Sequence, residues 1–248
     1  MKRIVYGTGF VLALLLTLTV SCFAQEMTSR DIEHWLEPVL GNWYDMNGKL
    51  GMTVQTGSVN GCTILGSPGL GMTEPPCTGT LRIDENGQSR LLKLEIFGNG
   101  THRYLLVDEQ QMLRRSPREA HFESVGGIYL GMVKDALLQA YGEPSRQAME
   151  KGQLCWQYAE QGFAVLFKGN VVTGIRLYKG GNARFDQSGL GAADAPSAYA
   201  AAYHMASVPP VPRQQDRSFS HFSIGHDEYV FFTTEFVQLT VYDSWLFS

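Results

Sequence analysis

Near the C-terminal end, His221-Phe222-Ser223-Ile224-Gly225-His226-Asp227-Glu228 gathers two imidazoles and two carboxylates. These are ligand types of a zinc or related transition-metal site, and Gly225 would supply the turn that brings them together. The spacing works against that chemistry. Histidines five apart do not share a helical face, and on a strand they point to opposite faces unless the chain bulges. The stretch is expected to be a turn between strands carrying solvated polar groups. A metal or acid–base centre on His221, His226 and Asp227 is the weaker alternative.

Ser188 lies close to Asp186, and six histidines are available for a Ser-His-Asp arrangement. There is no G-x-S-x-G elbow, and Ser188-Gly189 reads as ordinary turn chemistry. Cys155 sits between Leu154 and Trp156 in an alternating strand, whereas a nucleophilic thiol needs an exposed, electropositive setting. It is expected to be a buried thiol. The sequence has no phosphate loop, dinucleotide fingerprint, C-x-x-C or H-E-x-x-H. Neither catalysis nor a cofactor is expected. Cys62 and Cys77 bracket a Gly/Pro-rich segment, "CTILGSPGLGMTEPPC", which is expected to be a loop closed by a disulfide. Such a bridge would be worth about 3 kcal/mol in the chain-entropy model.

The elements that would position these residues begin after residue 24. Met1-Lys2-Arg3, an apolar run from Val11 to Val20 and Ser21-Cys22-Phe23-Ala24 have the anatomy of a secretory signal peptide cut after Ala24. Thr19-Val20-Ser21-Cys22 is also a loose lipobox, in which Cys22 would be the lipidated first residue. Removing Lys2 and Arg3 leaves 18 basic against 24 acidic residues. An acidic chain without a basic run has no electrostatic footprint for nucleic acid, and it would meet a membrane only if lipidated at Cys22. The expected location is exported: periplasmic or secreted, or else lipid-anchored at the envelope.

A short helix through Ile32, Trp35, Leu36 and Val39 comes first, ended by Pro38 and Gly41. Asn-Gly pairs then recur at Asn47-Gly48, Asn60-Gly61, Asn86-Gly87 and Asn99-Gly100, each between short apolar segments. This is the strongest local signal for tight hairpins. With alternation through Leu50, Met52 and Val54, and through Leu92, Leu94 and Ile96, residues 42–115 read as a meander of six or seven strands. Gly41-Asn42-Trp43 resembles the G-x-W entry of lipocalin barrels. That resemblance implies a small-molecule cavity within residues 42–115, although the region is about half the length expected of an eight-stranded barrel. Trp43 is expected in the core.

In residues 125–179, Val133, Ala136, Leu137, Ala140 and Tyr141 form one apolar helical stripe. Gly142 and Pro144 end that helix. Three alternating strands follow: "QLCWQYA", "GFAVLFKG" and "VVTGIRLYK". Gly127-Ile128-Tyr129-Leu130-Gly131-Met132, the helix, Gly142-Glu143-Pro144, Trp156-Gln157-Tyr158, Gly162-Phe163-Ala164-Val165-Leu166-Phe167, Val171 and Ile175-Arg176-Leu177 resemble the helix-plus-meander unit of bacterial envelope proteins. These include the SmpA/OmlA outer-membrane assembly lipoproteins and the β-lactamase-inhibitor-like domains. The resemblance covers about a quarter of the mature chain and rests on scaffold positions. It implies a protein that binds other proteins and is not an enzyme.

Further on, Asp194 is placed to cap a helix in "APSAYAAAYHMA". "SVPPVPRQQD" reads as a stiff connector. Tyr229–Phe232 and Phe236–Tyr242 read as a hairpin that completes the sheet. The chain is thus expected to be α+β: an antiparallel β-meander, as a small barrel or curved sheet, followed by a helix on an antiparallel sheet. Its parts would be a signal peptide (1–24), the meander domain (25–118) and the helix-on-meander domain (119–248). The expected function is non-catalytic binding or scaffolding of a protein or peptide partner, with Trp156, Tyr158, Tyr178, Tyr229 and Trp245 as exposed aromatic anchors.

Overall fold

The structure is a computed structural model that describes residues 29–71, 77–99, 102–117, 122–210, 222–225 and 227–241. Cys22, His221, His226 and Trp245 lie outside the described residues. Helix α1 (Ser29–Leu36) leads into eight strands: β1 (Gly41–Tyr44), β2 (Leu50–Gln55), β3 (Ser58–Val59), β4 (Cys62–Leu70), β5 (Cys77–Glu85), β6 (Gln88–Asn99), β7 (His102–Val107) and β8 (Gln111–Arg114). They pair in chain order and close into a barrel. The Asn47-Gly48, Asn60-Gly61 and Asn86-Gly87 pairs fall in the turns between β1 and β2, β3 and β4, and β5 and β6, while Gly100 of the fourth pair lies outside the described residues. Asn60 and Gly61 (φ 51° and 79°) and Asn86 and Gly87 (φ 58° and 82°) take the left-handed conformation that a two-residue hairpin requires.

The strand count exceeds the six or seven expected because "CTILGSPGL" is strand, not loop. β4 accommodates its glycines and Pro68 by register shifts between Ile64 and Gly66 and between Gly66 and Gly69. The same geometry overturns the disulfide: Cys62, Cys77 and Cys155 are all free thiols. Cys62 and Cys77 open antiparallel neighbours, in which Leu70 at the far end of β4 is the partner of Gly79. At roughly 3.3 Å per residue the two cysteines stand more than 20 Å apart along the ladder, far outside the Cα separation a bridge allows.

The barrel interior is filled by one apolar cluster that includes Trp43, Met52, Val54, Leu81, Leu94, Ile96 and Leu113, with Trp35 and Leu36 of α1 packed into it. An eight-stranded barrel is just wide enough for side chains to fill. Closure rests on few backbone bonds, since Tyr44 and Arg114 are the one β1–β8 pair. Side chains complete it. The Arg115 guanidinium lies 3.8 Å over the Trp43 ring, and its Nη2 donates to the Pro38 carbonyl at 2.9 Å. The fully buried Trp43 donates from Nε1 to the Val39 carbonyl at 2.7 Å.

The second unit contains α2 (Lys134–Tyr141), β9 (Arg146–Glu150), β10 (Gln153–Tyr158), β11 (Phe163–Lys168), β12 (Val171–Tyr178), α3 (Pro196–Ala202), β13 (Phe222–Gly225), β14 (Glu228–Phe232) and β15 (Phe236–Val241). Its strands form one antiparallel sheet in the order β13-β14-β15-β12-β11-β10-β9. The C-terminal hairpin joins β12 as expected, and β9 and β13 are added at the two edges. Leu137 and Val165 are fully buried in one layer, and Tyr141 packs its ring on Tyr158 and Phe163. The expected stripe is rotated: Leu138 packs on the core while Ala140 is exposed. α3 is shorter than expected, and Asp194 does not cap it. Ala195 is the N-cap, and the Asp194 carboxylate instead accepts from the Gly191 N–H and from Arg184.

The two units share a core. Phe97, Tyr104, Leu106 and Met112 on the outside of the barrel belong to the same cluster as Trp156, Phe167 and Leu239 of the sheet. β7 is therefore buried on both faces, with Leu105 and Val107 turned into the barrel and Tyr104 and Leu106 into the shared layer. Gly131 is one close approach: at φ +88°, a Cβ there would stand 2.7 Å from Cγ of Met46. The Asn170 N–H donates to the Glu109 carbonyl at 2.8 Å, and Lys168 pairs with Glu95 at 2.8 Å. No helix among the described residues is long and apolar enough to cross a membrane.

Candidate functional site

Helices α2 and α3 and the barrel cover one face of the second sheet. On the opposite face, antiparallel registry aligns Arg176 with Gln238 and Tyr178 with Phe236, and Cys155 with Leu166. These strands enclose a groove of about 420 Å³, with Leu166, Tyr178, Phe231 and Phe236 supplying apolar walls. That size lies within the range of small-ligand and side-chain pockets. Arg176 organises the floor. Its Nη1 donates to Glu150 Oε2 at 2.7 Å, its Nε donates to Gln238 Oε1 at 3.1 Å, and its guanidinium stacks 4.2 Å from the Phe236 ring. Burial alone would raise the Glu150 carboxyl, but the hydrogen bond and charge of Arg176 outweigh it and hold Glu150 below its usual range. Gln153, nearly buried at the same groove, has an Oε1 without a hydrogen-bond partner.

Cys155 lies under this face, fully buried with Ala164 and Leu166. Burial, then the Glu150 charge, push its thiol up to about 12, so it is inert as a nucleophile.

The aromatic anchors are placed differently from expectation. Trp156 and Tyr158 are in the shared core, and Tyr229 is buried at the barrel seam with its hydroxyl 3.1 Å from the His102 ring nitrogens. None of the three is an exposed anchor. Strand alternation placed Trp156 and Tyr158 on one face correctly, but that face is the covered one. Tyr178 is half-buried and does line the groove. Arg176, Gln238 and Phe236 were missed because their convergence depends on the pairing of β12 with β15.

Ser188 and Asp186 do not form a catalytic pair. Asp186 accepts hydrogen bonds from Ser124 Oγ and from the N–H groups of Gly126 and Gly127. These outweigh burial and hold its carboxyl below the usual range. Ser188 Oγ is 2.9 Å from the Tyr203 hydroxyl, which donates to Glu123 at 2.7 Å. Burial raises the Tyr203 phenol, so it is no base for the serine. Glu123 also accepts from the backbone N–H groups of Gln187 and Ser188, at 3.1 and 2.9 Å, so this is a buried network that ties loops together.

Asp227 is committed to an ion pair with Arg114, 2.6 Å from Oδ2 to Nη1. Among the described residues no group of three or more His, Cys, Asp or Glu side chains is arranged to hold a metal ion. Comparison of the chain with protein-family models, with curated proteins and with solved structures finds no match.

Proposed function

We propose that the protein is an exported, non-catalytic envelope module that binds an extended segment of a protein partner on the open face of its second sheet. The groove at Leu166, Tyr178 and Phe236 is the observation that carries this reading. Its apolar walls accept a side chain, and Arg176 and Gln238 supply fixed polar partners beneath. β9, which contributes Glu150 to the groove, is the last strand of the sheet among the described residues. An edge strand offers unpaired backbone groups to an incoming strand, with specificity set by neighbouring side-chain pockets. Met149 on β9 is 67% exposed and flanks that edge, its side chain alternating to the face opposite Glu150.

The signal-peptide pattern before Gln25 supports export. The resemblance of residues 125–179 to the SmpA/OmlA lipoproteins and β-lactamase-inhibitor-like domains supports protein binding. A small-molecule cavity in the barrel has less in its favour, because an apolar cluster occupies the interior. A photoreactive phenylalanine analogue at Met149, irradiated in the protein's own envelope extract, is expected to form one discrete adduct. Excess unmodified protein should compete it away, and Tyr178→Asp should abolish it. The same analogue at Leu91, exposed on the barrel exterior, is expected to form none. Equal adducts from both positions would refute the proposal.

A further inference from the structure

Where the barrel meets the second sheet, a separate cavity of about 350 Å³ is lined by His102, Arg103, Arg114, Arg115 and Asp227, among others. Three strand ends build it. His102 and Arg103 open β7, Arg114 ends β8 with Arg115 following, and Asp227 sits in the turn between β13 and β14. Its described lining holds three guanidinium charges against one carboxylate, an excess of two positive charges. The chain as a whole carries a net charge of −4, so this excess is local.

Asp227 answers the Arg114 charge, and the excess lies on Arg103 and Arg115. Arg114, 2% exposed, gives Nη1 to Asp227. Arg115 is fixed by the Trp43 face and by the Pro38 and Asn42 carbonyls, which position its charge but do not cancel it. Arg103 has a buried Nε with no hydrogen-bond partner. Burial, and then the charge of Arg103, pull the Arg115 guanidinium below its ordinary value. Like charges gathered in a partly desolvated pocket are costly unless an anion answers them. Guanidinium forks match the geometry of tetrahedral oxyanions.

We propose that this seam pocket binds a phosphate-type dianion, free or carried on a larger molecule. Phosphate monoesters carry about −1.5 to −2 charges near neutral pH, which answers the local excess. Arg103 and His102, which line it, are both half-buried and so reachable from solvent. The site is distinct from the groove on the open sheet face and does not depend on the proposal made for it.

The test uses the mature chain with inorganic phosphate at constant ionic strength, followed by calorimetry and by the arginine Nε–H resonances. Wild type is expected to bind phosphate saturably at one site. Arg103→Gln should weaken binding at least about tenfold, the scale of one charge-assisted contact. Arg103→Glu should abolish it, with the far-UV spectrum unchanged in both variants. If Arg103→Glu does not fold, Arg103→Gln decides. A second arm compares phosphatidic acid vesicles, whose headgroup is a phosphate monoester, with phosphatidylcholine vesicles. Anionic-vesicle binding competed by phosphate places the ligand on a lipid headgroup, and phosphate binding without vesicle binding makes it a soluble phosphate. No saturable phosphate binding by wild type overturns the proposal. So does binding unchanged in the folded Arg103 variants, or vesicle binding that phosphate does not compete.

Discussion

Glu228→Gln is expected to change the pH dependence of stability more than stability itself. The Glu228 side chain at the start of β14 is fully buried, and its Oε2 accepts from the Glu123 N–H at 2.9 Å. Its Oε1 has no hydrogen-bond partner. Burial, with the Glu123 charge adding to it, raises the carboxyl from 4.5 to about 8; the backbone donors Glu123 and Phe122 and the charge of Arg114 only partly oppose this. The folded protein therefore keeps this proton where the unfolded chain has released it. The resulting contribution to stability is complete below pH 4.5 and is lost as pH rises towards 8. The slope is at most about 1.4 kcal/mol per pH unit, so the loss across the window is on the order of 2–5 kcal/mol, a large part of a typical unfolding free energy. Urea unfolding followed by tryptophan fluorescence at pH 5 and 8.5 measures it. Glutamine imitates the protonated acid, so the variant should match wild type within about 1 kcal/mol at pH 5 and exceed it by a few kcal/mol at pH 8.5. An equal difference between the two proteins at both pH values would refute the reasoning.

Two further outcomes follow from the barrel and the thiols. Arg115→Ala removes the ring contact with Trp43 and the donor to Pro38, and should cost about 1–3 kcal/mol in urea unfolding; a change below about 0.3 kcal/mol would show that barrel closure does not depend on it. In the folded mature protein, maleimide should label Cys62 while sparing Cys77 and Cys155, whose burial raises their thiols. Denaturation without reductant should expose all three, and a mass showing fewer than three adducts would contradict the free-thiol assignment.

Much of the local structure is legible in short windows of the sequence. Asn60-Gly61 and Asn86-Gly87 specify their hairpins because the left-handed conformation is cheap for those residue types. α2 could be located from its apolar spacing, and Gly142 ends it, giving its N–H to the Leu138 carbonyl at 2.8 Å. Alternation separated Trp156 from Cys155 correctly, since side-chain direction along a strand is a period-two property of the backbone.

Tertiary structure decided the rest. "CTILGSPGL" reads as loop by composition, yet pairing with β5 across two register shifts makes it strand. Tyr104-Leu105-Leu106-Val107 announces burial but not the two different cores that receive it. Arg115 reaches Trp43, Arg176 reaches both Glu150 and Gln238, and Glu228 reaches Glu123 only after the chain has returned from far away in sequence. Turn chemistry and periodicity act over a few residues. The groove, the arginine pocket and the buried acid each join strands whose proximity is set by packing, which no local window encodes.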